Sequence, residues 1–173
     1  MAAVEEGLDF YDMSKLELRQ LVEANPGRVN NLDVCGLDAI GRGCFRNERA
    51  GAGRLLDEKG ADVNATTALG TSALHYAKTL DILNALLDHG GDPTRIDFLG
   101  WSVLMHQMRN GTVVARLLQD PRVRATINMQ DEEGNTALYH ACCKYGGTDT
   151  KAALNTHLLL QAGADLSIAN KSG

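Results

Sequence analysis

Apolar residues along this chain fall into short blocks, each opened by a glycine turn and closed by a leucine pair. Gly70 leads into Thr71-Ser72-Ala73-Leu74-His75-Tyr76-Ala77, Gly134 into Asn135-Thr136-Ala137-Leu138-Tyr139-His140-Ala141, and Gly100 into the looser Trp101-Ser102-Val103-Leu104-Met105-His106. The leucine pairs are Leu55-Leu56, Leu86-Leu87, Leu117-Leu118 and Leu159-Leu160. Gly36, Gly70, Gly100, Gly134 and Gly173 are spaced by 34, 30, 34 and 39 residues. A Ser or Thr before an apolar run accepts a hydrogen bond from the first helical turn, so Ser72, Ser102 and Thr136 are predicted to open short helices. The leucine pairs mark second helices. Glycine supplies the left-handed residue that ends a helix, which suits Gly60, Gly90 and Gly163. No such helical pair can bury its apolar face alone, so successive units must stack into one continuous core.

These in-phase stretches, with the turns Lys59-Gly60-Ala61-Asp62-Val63-Asn64, His89-Gly90-Gly91-Asp92-Pro93 and Ala162-Gly163-Ala164-Asp165-Leu166, resemble the ankyrin repeat family. Its unit is a β-turn plus two helices at a period of about 33 residues. The resemblance implies an all-α solenoid of helix-turn-helix units with short β-hairpin fingers, one domain over 1–173. Its approximate units are 1–32, 33–66, 67–96, 97–130 and 131–170, with 171–173 the start of a missing repeat. In the first, Ser14-Lys15-Leu16-Glu17 forms a capping box and Asn25-Pro26-Gly27 ends the helix. The second departs furthest from the pattern. Asp38 stands where Thr is expected, and Gly41, Gly43, Gly51 and Gly53 each cost on the order of 1 kcal/mol relative to Ala within a helix. The third needs a tight connection through Tyr76-Ala77-Lys78-Thr79. The fourth returns to its finger through the longer Gln119–Asn128, and the fifth inserts a polar loop at Gly146–Lys151. With no polar unit behind Leu154, Leu158 and Leu159, the C-terminal face is expected to belong to a longer chain or to be covered by another molecule, self-association included.

Composition narrows the field. The 173 residues are 44% hydrophobic with a formal net charge of −5, and no basic stripe is present, which argues against nucleic acid and acidic membrane surfaces as partners. The start Met1-Ala2-Ala3-Val4-Glu5-Glu6-Gly7 has no cationic or apolar signal region and no stretch reaches transmembrane length, so an intracellular location, cytoplasmic or nuclear, is expected. The four cysteines make no convincing disulfide framework. Cys44 and Cys142 fall at one register position, the slot where the family keeps a small residue between helices, and are expected to be buried thiols. The Asn64, Asn110 and Asn170 sequons, with no secretory signal ahead of them, read as coincidental.

Chemistry is sparse. His140-Ala141-Cys142-Cys143 gathers potential ligands, yet adjacent helical residues diverge by about 100° and do not converge on one metal. Cys143 with His106 or His140 lacks the setting of a nucleophile and base. Arg49-Ala50-Gly51-Ala52-Gly53-Arg54 lacks the Gly-Lys-Ser/Thr ending of a phosphate loop. His75 is expected to tie neighbouring turns by hydrogen bonds. No enzyme activity, metal or cofactor is predicted.

The resemblance also implies where a partner lies, across finger tips and first helices. By position these are Val34, Cys35 and Leu37; Ala68, Leu69 and Thr71; Phe98, Leu99 and Trp101; Glu132, Glu133 and Asn135; then Arg109, Asn110, Cys143 and Lys144. The predicted protein-binding residues are Leu37, Leu69, Thr71, Phe98, Leu99, Trp101, Arg109, Glu132, Glu133, Asn135 and Lys144. Phe98, Leu99 and Trp101 form an apolar cluster beside the acidic Asp131, Glu132 and Glu133, suiting a partner segment with an apolar anchor and a nearby Lys or Arg. Leu56, Asp62, Val63 and Asn64 have the spacing at which the family's asparaginyl hydroxylases act, with Asn64 the acceptor. The expected function is a protein-binding adaptor or recognition module. A Cys/His hydrolase or transferase on a helical solenoid and a purely structural spacer stand as alternatives.

Overall fold

The computed structural model describes residues 61–67, 69–144 and 150–172. The expectations for residues 1–60, including Leu37, Cys44 and Gly60, and for the loop at 146–149 lie outside the described residues. Within them, three units repeat one order of elements: a finger, a first helix, a second helix.

Each finger closes with an isolated antiparallel bridge, Thr66 to Ser72, Ile96 to Ser102 and Gln130 to Thr136. The residue that completes each bridge also opens the first helix. These helices are a 3-10 turn at Ala73–Tyr76, α2 at Val103–His106 and α5 at Ala137–Tyr139, which widens into a π turn over His140–Lys144. The second helices are α1 (Leu80–Asp88), α3 (Gly111–Leu117) and α6 (Thr150–Gln161), and α4 (Pro121–Ala125) fills the long return of the fourth unit.

The predicted caps hold at two starts: Ser102 Oγ accepts from the Met105 N–H at 3.3 Å and Thr136 Oγ1 from that of Tyr139 at 3.2 Å. At Ser72 the arrangement is reciprocal, with the backbone N–H donating to His75 Nδ1 at 3.0 Å and the hydroxyl 3.0 Å from the same nitrogen. Caps not anticipated are Thr79 on Ile82, Asn110 on Val113, and Asp120 on Arg122 ahead of Pro121 at the first helical position. Gly90 and Gly163 end α1 and α6 with φ of 83° and 96°. In both, the following residue's N–H reaches back five positions, Gly91 to Leu86 O at 2.9 Å and Ala164 to Leu159 O at 3.0 Å, the six-to-one bond of a Schellman ending.

One apolar core runs from Val63 to Leu159. Leu74, Ile82, Leu83, Leu86, Val103, Val113, Val114, Leu117 and Leu159 are at or near zero exposure, and full burial of such side chains is worth about 1.5–3 kcal/mol each. Polar side chains stitch the units where a first helix ends and its last carbonyls lack helical partners. Gln107 Nε2 donates to His75 O (2.9 Å), Asn110 Nδ2 to Lys78 O (2.6 Å) and Asn155 Nδ2 to Met108 O (2.6 Å). Each unit thus caps the carbonyls of the one before it.

Candidate protein-binding surface

Four fingers share one device. Three residues before each repeat glycine stands a side chain with an acceptor oxygen: Thr67, Asp97, Asp131 and Asn170. Asp97 Oδ1 accepts from the Leu99 and Trp101 N–H groups, both at 2.9 Å, and Asp131 Oδ1 from those of Glu133 (2.9 Å) and Asn135 (2.8 Å). Thr67 Oγ1 does the same for Leu69 (3.2 Å) and Thr71 (3.3 Å), and Asn170 Oδ1 accepts from Ser172 at 3.0 Å. Short polar side chains that bond the backbone two residues on are the usual organisers of such turns. The turn then closes with Gly100 N–H donating to Asp97 O, and Gly134 N–H to Asp131 O, both at 2.9 Å.

The second oxygen of each aspartate anchors the first helix. His106 Nε2 donates to Asp97 Oδ2 at 2.9 Å and His140 Nε2 to Asp131 Oδ2 at 2.7 Å. In the third unit an uncharged relay replaces that pair, Thr67 Oγ1 lying 2.7 Å from Thr71 Oγ1, itself 2.9 Å from the Tyr76 hydroxyl. Burial pulls the Asp131 carboxyl upward, but the Asn135 and Glu133 N–H groups and His140 together hold it below the usual carboxylate range. His75 is lowered as well, to about 4, chiefly by burial, which disfavours the charged form of a histidine, and then by His106.

Adjacent fingers are zipped at their tips. Phe98 N–H donates to Leu69 O (2.9 Å), Glu132 N–H to Leu99 O (3.0 Å) and Lys171 N–H to Glu133 O (3.0 Å). The repeat glycines permit this approach. Gly70, Gly100 and Gly134 have φ of 76°, 75° and 81°, and a Cβ on Gly100 or Gly134 would lie 3.1 Å from the Cα of Asp131 or Asn170. The tip backbones are therefore used between fingers, and what the row offers outward is side chains.

That finger-and-helix-pair unit, repeated in register, is the architecture of one family. The family profile for ankyrin repeats in three copies matches residues 78–170, more than half of the chain. The chain belongs to the ankyrin repeat family. It is 33% identical over 165 residues to the putative ankyrin repeat protein L371 of Acanthamoeba polyphaga mimivirus, covering 90% of this chain and 20% of that protein. It is 31% identical over 109 residues to the human ankyrin repeat and SOCS box protein 6, covering 59% of this chain and 25% of that one. The chain thus spans a quarter or less of the length of these curated relatives. Among solved structures, an ankyrin repeat domain of Acinetobacter baumannii AYE superposes with a TM-score of 0.74 at 28% identity, over 89% of this chain and 80% of that one. The ankyrin repeat protein EF0377 superposes at 0.75 and 26%, over 91% and 80%.

Within this ankyrin domain the expected contact residues divide into two sets. Leu69 (54% exposed), Phe98 (56%), Leu99 (41%), Glu132 and Glu133 face water at the tips, as does Arg109 at the end of its first helix. Glu133 Oε2 also takes a 2.9 Å hydrogen bond from Asn135 Nδ2. Ile96, 48% exposed beside Phe98, belongs to the same apolar finger and was missed, because nothing in the sequence says which side of the hairpin stays open.

The second set corrects the sequence reading. Thr71 and Asn135 are buried, Thr71 bonded within its own unit and Asn135 bonded to Asp131 in its finger and, through Oδ1, to Asn170 Nδ2 of the next finger at 2.8 Å. Trp101 is half-buried and packed on the core, its ring centroid 5.4 Å from His106 and 4.4 Å from His140 of the next unit. It joins two units and is not a free anchor. Asn110 likewise serves as cap and inter-unit clasp. Cys142 was expected in the small slot, but Ala141 occupies it at 0% exposure, and both Cys142 and Cys143 are exposed. Ala141 stands seven residues past its repeat glycine, as the buried Ala77 and Gln107 do past theirs, so the buried slot lies one position ahead of Cys142. His75 bonds within its own turn through Nδ1 and also meets the next unit, at the Trp101 backbone and against the His106 ring (centroids 4.9 Å apart). The Lys144 side chain lies outside the described residues. Asn64 has its amide engaged, Nδ2 donating to Gly90 O (3.1 Å) and Oδ1 accepting from Asp92 N–H (2.9 Å).

Among the described residues no group of three or more His, Cys, Asp or Glu side chains could hold a metal ion, and no helix is long and apolar enough to cross a membrane.

Proposed function

We propose that this domain is a non-enzymatic recognition module that binds a segment of another protein across its finger tips and first helices. One observation carries the reading. The polar side chains Thr71, Asp97, Asp131 and Asn135 that build the fingers are buried, while the large apolar side chains Leu69, Phe98 and Leu99 stand exposed on three consecutive tip positions. Apolar residues scattered singly over a surface are ordinary, whereas a contiguous cluster marks an interaction site. His106 and His140 are bonded to Asp97 and Asp131 as part of the finger clasps, and His140 is buried against Trp101. A bare spacer has no use for the apolar tips. The exposed thiols of Cys142 and Cys143 fit a reducing intracellular compartment. The Asn64 Cβ would be a hydroxylation site only after the loop at 62–64 releases Gly90 and Asp92; of the C-terminal face expected for self-association, Leu159 is buried in the core and Leu158 half-buried, which leaves Leu154, with Leu160, as the exposed apolar positions of α6.

The test compares the wild-type domain with the Phe98→Ala/Leu99→Ala double variant in capture from native lysate, followed by affinity measurement on the captured protein. The variant should keep its helical circular dichroism and lose about 2 kcal/mol or more of binding. Unchanged affinity with an intact fold rejects the tip surface.

A further inference from the structure

The tips differ chemically from one unit to the next, and the order is informative. At the two positions before each repeat glycine the row reads Ala68 and Leu69, then Phe98 and Leu99, then Glu132 and Glu133, then Lys171 and Ser172. It passes from apolar to acidic to basic in three steps. Glu132 and Lys171 are exposed, and neither of them, nor Glu133, has an ion-pair partner among the described residues.

The spacing of these steps follows from the zipper. Moving one unit along the row crosses one peptide, about 3.8 Å between Cα atoms, and one inter-finger hydrogen bond, about 4.8 Å between backbones. The pitch is therefore about 9 Å, in line with the ~8–10 Å between packed helices. A polyproline II segment has three residues per turn at about 3.1 Å each, so residues i and i+3 share a face about 9.3 Å apart. A β-strand repeats its face every two residues, about 6.7 Å, and falls out of step at the second finger. An α-helix offers i and i+7 at about 10.5 Å, which drifts by several ångströms over three fingers.

We propose that the row recognises an extended, polyproline II-like protein segment with two apolar residues and one Lys or Arg at successive three-residue intervals, in either chain direction. The apolar pair faces Leu69, Phe98 and Leu99, the base faces Glu132 and Glu133, and an acidic residue three further on faces Lys171. This rests on the finger-tip reading above and adds the partner's register and charge order.

The experiment selects a displayed library of random twelve-residue peptides against the wild-type domain, against Phe98→Ala/Leu99→Ala, and against Glu132→Lys/Glu133→Lys. The expected enrichment has apolar, apolar and basic residues at i, i+3 and i+6. Resynthesised peptides should bind the apolar-tip variant at least tenfold more weakly, and selection on the charge-reversed variant should replace the base by Asp or Glu. Peptides that depend on Phe98 and Leu99 but show an i, i+3/i+4, i+7 helical pattern, or no charge preference, overturn this inference and leave the finger-tip reading standing. No enrichment, or enrichment indifferent to Phe98 and Leu99, overturns both.

Discussion

Replacing the repeat glycines one at a time separates two demands that the structure places on them. Gly90 has φ of 83° and nothing within 4 Å of the position a Cβ would take, so Gly90→Ala meets only the backbone penalty. A left-handed non-glycine residue costs about 1–2 kcal/mol, offset by about 0.4–1 kcal/mol from the stiffer unfolded chain, leaving roughly 1 kcal/mol. Gly70, Gly100 and Gly134 add contact with the next finger's backbone, the nearest atoms at 3.3, 3.1 and 2.9 Å. Those neighbours cannot swing aside, because the atoms involved are the ones held by the Phe98, Glu132 and Lys171 hydrogen bonds. Parting the fingers weakens a bond worth about 0.5–1.5 kcal/mol net and loosens packing by a similar amount. Expected losses rise in the order Gly90→Ala, Gly70→Ala, Gly100→Ala, Gly134→Ala, from about 1 to about 3 kcal/mol. Urea unfolding followed by far-ultraviolet circular dichroism measures the series. Equal losses at Gly90 and Gly134 would refute the argument that close approach, and not φ alone, demands glycine in the fingers.

Other consequences are open to direct measurement. Leu86→Ala and Leu138→Ala, at 0% and 4% exposure, should each lose about 2–5 kcal/mol of stability through cavity formation, read from the shift in urea midpoint. Trp101→Ala should destabilise the fold by about 2–3 kcal/mol because its ring bridges His106 and His140; an unfolding midpoint equal to wild type would return Trp101 to the free surface. Asp131→Asn keeps an acceptor for the finger N–H groups but loses the charge that faces His140, and should cost about 1.5–3 kcal/mol, measured in the same way. His75 stays neutral in the native state down to about 4 while the unfolded chain takes up a proton near 6.5. Its contribution is therefore intact above the unfolded value and is lost as pH falls from about 6.5 to about 4, by roughly 2–3 kcal/mol; His75→Gln should flatten that part of the stability profile, and an identical slope in both proteins would contradict it.

The repeat architecture was legible because its signals are local. The glycine period, the leucine pairs and the caps at Ser102 and Thr136 each rest on a few adjacent residues whose chemistry admits one reading. The finger clasp was not legible, because its partners lie nine residues apart and change identity. Asp97 with His106 and Asp131 with His140 become Thr67, Thr71 and Tyr76 in the third unit, so no fixed pair repeats. The same limit governs the candidate surface. Thr71, Trp101 and Asn135 share one position after the glycine, and whether it faces water depends on the finger acceptor and on the next unit. The exposed Leu69, Phe98 and Leu99 were recoverable because the tip turn leaves no neighbour to cover them. Cys142 was placed one position too far along, because two adjacent small residues, Ala141 and Cys142, do not mark which of them faces the core.

The most direct test of the account is a map of backbone amide shifts in the wild-type domain as its captured partner segment is added. The account predicts perturbations concentrated at Leu69, Phe98, Leu99, Glu132 and Glu133, with the buried finger residues Asp97 and Asp131 moving less. Perturbations confined to the outer face of α6, around Leu154 and Leu160, with the finger tips unchanged, would contradict it.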